Sequence, residues 1–112
     1  MVYNAVTDEF GNKYYYVNNK FHREDGPAIE LVNGYKAWCK NGKLHREDGP
    51  AIEYSDGNRC WYLNGLYHRE DGPAIEHGNG AKFWYLNNIF YGKNGDFTNK
   101  SWKFFIKTLI FS

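Results

Sequence analysis

The sequence predicts an all-β repeat fold: an open antiparallel meander of β-hairpins finished by a C-terminal α-helix. Three observations carry this. The fragment HREDGPAIE stands three times, beginning at His22, His45 and His68, in equal steps of 23 residues. Turn signals recur in the same places of each copy, including Asn41-Gly42 and Asn64-Gly65. After Asp96 the period breaks, and Trp102, Phe105, Ile106, Leu109 and Ile110 follow at helical spacing.

Taken in order, residues 1–21 read as a degenerate half-repeat. Tyr15 precedes Trp38 by one period, Gly11 precedes Gly34, Asn18-Asn19 fill the Asn-Gly slot, and Val6 fills the slot of Ile29. Val2 to Val6 form the first strand, an open edge. Three hairpin repeats follow, 22–44, 45–67 and 68–90. In the middle copy, Pro50 to Tyr54 is a short β-type run, Ser55-Asp56-Gly57 a turn, and Arg59 to Leu63 a second run. Asn64-Gly65 turns the chain, and Leu66 to Arg69 leads into the Asp71-Gly72-Pro73 turn. Strands of four to six residues are expected, each unit adding beside the last.

Alternation sorts the faces. Trp61 and Leu63 point one way, Cys60 and Tyr62 the other; Ala51 and Glu53 oppose Ile52 and Tyr54. The Trp and Ile columns are expected to form the buried core together. Cys39 and Cys60 fall two strand spacings apart, about 9.6 Å, beyond the ~7 Å Cα reach of a disulfide. Both are expected as free thiols filling strands. Tyr91 occupies the next His slot, and the HRED text is gone there. The helix, placed at 97–111, has capping residues before it and Lys100, Lys103 and Lys107 opposite its apolar stripe. It should dock on the sheet, over one face or along the last edge, the alternative being a partner or membrane contact.

Composition narrows the function classes. The 112 residues make a single domain, 1–112, and 14 Lys+Arg against 13 Asp+Glu leave a formal charge of +1. That balance argues against a general polyanion binder. No stretch has the ~20 apolar residues of a membrane span, and Met1 to Phe10 lacks a secretion signal. Two cysteines without metal-type spacing fit a reducing, cytoplasmic compartment.

The unit W-Y-L-N-G-x-x-H-R-E-D-G-P-A-I-E, as it stands from Trp61 to Glu76, resembles the MORN-type repeat. It is more closely similar to the HREDGPAIE variant form found in small proteins of large tailed bacteriophages and giant viruses. The resemblance covers about residues 10–92, and the D-F-T-N-K-S-W tail before the apolar helix also looks like the phage form. It implies MORN-like β-hairpins serving as scaffolding or binding units. It further implies a phage accessory protein working in the host cell cytoplasm.

The repeated polar residues are the candidate site. His22, Arg23, His45, Arg46, His68 and Arg69 form columns, with Tyr62 and Tyr85 on the face away from the tryptophans. One reading makes HRED a turn scaffold, with Asp before Gly bonding the backbone and Arg and Glu forming an ion-pair ladder. Histidines two strands apart do not converge on zinc at ~2.0–2.1 Å, so no metal and no cofactor are implied. Catalysis needs a unique set of groups in different roles, whereas here every acid, base and cation is triplicated; no enzyme is expected. Each HRED arginine is followed by two acids, which argues against nucleic acid. The expected function is a non-enzymatic binding module, acting through protein–protein contacts or self-association. The Tyr14, Tyr16, Tyr62 and Tyr85 face would be its contact surface. The alternative, implied by the resemblance, is an anti-defence protein that sequesters a small anionic host signalling nucleotide or blocks a host immune effector. Arg23, Arg46 and Arg69 would then bind the anion.

Overall fold

The computed structural model describes residues 3–110. Val2 and Phe111, and the side chain of Ile110, lie outside the described residues. The elements are β1 (Asn4–Thr7), β2 (Lys13–Val17), β3 (Lys20–Phe21), β4 (Ile29–Glu30), β5 (Lys36–Ala37), β6 (Cys39–Lys40) and β7 (Lys43–Leu44). They continue as β8 (Ile52–Glu53), β9 (Arg59–Cys60), β10 (Tyr62–Leu63), β11 (Leu66–Tyr67), β12 (Ile75–Glu76), β13 (Lys82–Leu86), β14 (Ile89–Lys93) and α1 (Asn99–Ile110). The main sheet runs β1-β2-β4-β5-β8-β9-β12-β13-β14, with β3 paired to β2. Pairs β6–β7 and β10–β11 form small sheets of their own. The molecule is a slab of 49 × 31 × 18 Å.

The strands are shorter than the sequence pattern predicts. The run expected from Arg59 to Leu63 breaks at Trp61, and the preceding copy breaks likewise at Trp38. At the break, the Trp61 N–H bonds the carbonyl of Ala74 (2.7 Å), while its own carbonyl accepts from His68 N–H (3.1 Å). Trp38 does the same with Ala51 and His45. Each unit therefore holds two hairpins, one in the main sheet and one around Asn-Gly. Asn41, Gly42, Asn64 and Gly65 all have positive φ, between 51° and 79°. That is the backbone of the tight hairpin turn the Asn-Gly signal favours.

Register decides the faces. One row joins Tyr14, Ile29, Ala37, Ile52, Cys60, Ile75 and Phe83 across successive strands. The neighbouring row joins Lys13, Glu30, Lys36, Glu53, Arg59, Glu76 and Lys82, alternating in charge at every step. Directly opposed unlike charges contribute about 0.2–1 kcal/mol per pair. A one-residue slip would swap the two rows, so the pattern holds the register.

The main core is Ala28, Ala37, Cys39, Ile52 and Cys60, with Ile29, Ile75, Leu44, Tyr62 and Tyr67 packed on it. This corrects the expectation that Trp and Ile share one buried core. Ile52 is the register partner of Cys60, so the adjacent Trp61 points to the opposite face. Trp38 and Trp61 are only half-buried there, whereas Trp84 is buried in a second cluster with Trp102 and Ile106. Helix α1 thus lies on the tryptophan face at the C-terminal end of the sheet. Thr98 caps it: the Ser101 N–H bonds Thr98 Oγ1 (3.0 Å) and the Thr98 N–H bonds Ser101 Oγ (2.9 Å). This is a reciprocal capping arrangement with Ser in the usual Glu position.

Candidate functional site

The three HRED turns lie on the tryptophan face and repeat one geometry. Each arginine covers the aromatic ring eight residues before it. Guanidinium carbon to ring centroid is 4.0 Å for Arg23 on Tyr15, 3.9 Å for Arg46 on Trp38 and 3.8 Å for Arg69 on Trp61. Such contacts contribute about 0.5–2 kcal/mol, more when shielded from water. The opposite side of each guanidinium is closed by the glycine of DGP. A Cβ on Gly26, Gly49 or Gly72 would lie 2.7–2.9 Å from the arginine Cζ. Glycine lets the guanidinium lie this close; a side chain there would displace the flexible arginine end.

The arginine donors are used within the turn. Arg46 Nε–H donates to Asp48 Oδ1 (3.0 Å) and its Nη1 to the Pro50 carbonyl (3.1 Å). Arg23 and Arg69 bond Asp25 and Pro27, and Asp71 and Pro73, in the same way. Nη1 of Arg69 also reaches Glu76 (3.3 Å), and that of Arg23 approaches Glu30 (3.9 Å). Inside HRED, then, arginine pairs with aspartate. The glutamates that reach arginine are those of AIE, which the sequence reading did not single out. The signal was available, because Glu30, Glu53 and Glu76 recur with the same period as the arginines.

The histidines close the turns onto the next unit. Backbone N–H groups of Asn41, Asn64 and Asn87 donate to Nδ1 of His22, His45 and His68 at 2.9, 2.9 and 3.1 Å. An accepting Nδ1 places the proton of a neutral ring on Nε2. Nε2 faces Glu24 at 2.8 Å and Glu70 at 3.0 Å, with Glu47 farther from His45 at 3.6 Å. The backbone N–H of each arginine reaches forward as well, to the carbonyls of Cys39, Tyr62 and Tyr85.

Between consecutive turns lie two open clefts, of about 600 Å3 and 580 Å3. The larger is lined by Leu63, by Trp61 under the Arg69 guanidinium, and by Arg46 to Pro50 and His68 to Asp71. Each HRED turn carries one arginine against two carboxylates, so the rim is acidic. Glu47 and Asp48 are 82% and 88% exposed, and Glu70 and Asp71 67% and 68%.

Tyr62 and Tyr85 stand on the other face. Tyr62 stacks on Tyr67 (4.5 Å), Tyr67 lies 5.0 Å from Tyr85, and Tyr16 stacks on Phe21 (4.8 Å). All are half-buried, and burial together with the Tyr67 hydrogen bond pushes the Tyr62 hydroxyl well above its ordinary pKa. Cys39 and Cys60 are buried free thiols. Burial raises both, Cys39 from 9.0 to about 11. That direction keeps them unreactive. Among the described residues, no three His, Cys, Asp or Glu side chains gather as a metal site. None of the described helices is long and apolar enough to cross a membrane.

Comparisons with protein-family models, with curated proteins and with solved structures find no match to this chain.

Proposed function

We propose that this chain is a non-enzymatic interaction module of MORN-like hairpin repeats, acting through protein–protein contacts. The sequence resemblance makes it a phage accessory protein of the host cytoplasm. One observation carries the reading: each HRED arginine is bonded to the aspartate of its own turn, and the same arrangement stands three times. A threefold set of internally bonded turns builds an extended surface rather than one reaction centre. The β1 edge, whose four residues are all exposed, adds backbone donors and acceptors for pairing. The test is capture from host lysate with cross-linking, comparing native protein with Val6→Lys on the edge and Glu47→Lys on the rim. The expected result is a discrete protein complex that one of the two variants loses. Absence of any complex, with all three proteins folded, overturns the reading.

The alternative is an anti-defence trap for a small anionic nucleotide. It draws on one observation, that Arg46, His68 and Arg69 all line the larger cleft. Thermal shift against cyclic nucleotides and ADP-ribose derivatives separates the two. A ligand present at 100 times its Kd stabilises the native state by about 2.7 kcal/mol. The interaction reading expects no shift across the panel.

A further inference from the structure

We infer that the protein pairs with a second copy of itself, the basic outer face of α1 docking on the acidic HRED rim of its partner. This rests on the interaction reading above and names the partner. The helix Asn99–Ile110 contains no acidic residue. Its inner stripe is occupied by Trp102 and Ile106, buried against Trp84. Its outer stripe presents Lys100, Lys103 and Lys107 around Phe104, which is 70% exposed. No salt bridge among the described residues engages these lysines. A phenylalanine ringed by three cations fits an acidic surface with some apolar side chains in its lining.

The same chain supplies that surface. The larger HRED cleft is lined by Leu63 and by Trp61 under the Arg69 guanidinium, and its four carboxylates, Glu47, Asp48, Glu70 and Asp71, outnumber its two arginines, Arg46 and Arg69. Spacing agrees as well as charge. Lys100 and Lys107 are seven residues apart, about 10.5 Å along a helix. Consecutive HRED turns are two strands apart, about 9.6 Å. A helix laid along the column sets a lysine at each of two turns and Phe104 over the cleft between them.

Symmetry closes the arrangement. Helix and HRED turns share one face of the sheet, because Trp102 bonds the Arg69 carbonyl and packs on Trp84. Two copies placed face to face about a two-fold axis make the contact twice, helix on rim and rim on helix. Such an isologous pair ends at the dimer instead of growing into a filament.

The experiment is analytical ultracentrifugation of the full chain from micromolar to near-millimolar concentration, at low and high salt. Wild type is expected to dimerise, more weakly in high salt because the contact is charged. Lys103→Glu/Lys107→Glu and Glu47→Lys/Glu70→Lys should each weaken the dimer at least about tenfold. Mixing the two variants should restore a heterodimer, since both helix–rim contacts then join unlike charges. Phe104→Ser, which alters no paired group, should also weaken it; near-UV circular dichroism checks that each variant is folded. A wild type that stays monomeric throughout, or a dimer indifferent to both reversals, overturns the inference. So does binding to phosphatidylserine vesicles that needs Lys103 and Lys107 while the protein stays monomeric. In either case the interaction reading still stands or falls by its own capture test.

Discussion

The indole N–H of Trp102 donates to the backbone carbonyl of Arg69 at 2.9 Å, tying the helix to the last HRED turn. The bond explains how the repetition ends. One period after Arg69 stands Gly92, so no guanidinium covers Trp84. Phe97 and Trp102 take its place, with ring centroids 5.6 and 6.5 Å from Trp84. Gly92 permits this, because a Cβ there would lie 2.9 Å from the Phe97 ring. The helix is the cap that a terminal repeat requires.

Trp102 and Trp84 should respond differently to replacement by phenylalanine. Trp102→Phe leaves the Arg69 carbonyl without its donor. Trp84→Phe removes an indole N–H that is buried without a partner among the described residues. Both lose the same ring volume, so the first variant should be less stable than the second by about 1–3 kcal/mol. Urea denaturation of the pair measures the difference, and equal midpoints would reject the argument.

Gly72→Ala should act through Arg69. The new methyl would lie 2.7 Å from Arg69 Cζ. The guanidinium is the flexible end of its side chain, so it leaves the Trp61 ring and the backbone stays put. The expected cost is about 1–2 kcal/mol, from the lost stack and ion pair. Arg69→Ala should cost a similar amount, and the double variant little more than either single one. An additive double-mutant cycle would show that the glycine is needed for some other reason.

In their neutral form His22, His45 and His68 should be the Nε2–H tautomer, readable from long-range 15N couplings. His68→Ala removes the acceptor of the Asn87 N–H and should cost about 1–3 kcal/mol. Finding Nδ1–H in His22, His45 or His68 would contradict the hydrogen bonds that close the turns.

The buried thiols set an alkaline limit. Cys39 titrates near 11 when folded, against 9.0 for an ordinary thiol. The unfolded chain therefore releases its proton first, and stability falls as pH rises from 9.0 towards 11. Below that window the contribution is complete. Cys60 and Tyr62 shift in the same direction. Urea midpoints between neutral and alkaline pH test the trend. Iodoacetamide labelling of native protein at pH near 8 should be far slower than of unfolded protein.

Much of this was legible along the chain. Asn41-Gly42 and Asn64-Gly65 announced their turns, because only a few residues tolerate positive φ at both central positions. The helix was visible in the spacing of Trp102, Phe105 and Ile106. The breaks at Trp38 and Trp61 were not visible, since Arg59 to Leu63 has an unbroken β-type composition. The arginine sandwich was missed for a related reason. Arg69, Trp61 and Gly72 are separated in sequence, and no local preference reports that they meet.

Sequence alone determined the period, the turns, the helix and the parity of side chains within each strand, all set by preferences acting over a few residues. Tertiary structure decided which parities face each other. Register set Ile52 against Cys60 and so turned the tryptophans outward, under the arginines. It also decided where α1 lands, because a twelve-residue helix is marginal alone and takes its place from the surface it buries. That surface was Trp84, the one tryptophan of the column left without a guanidinium above it.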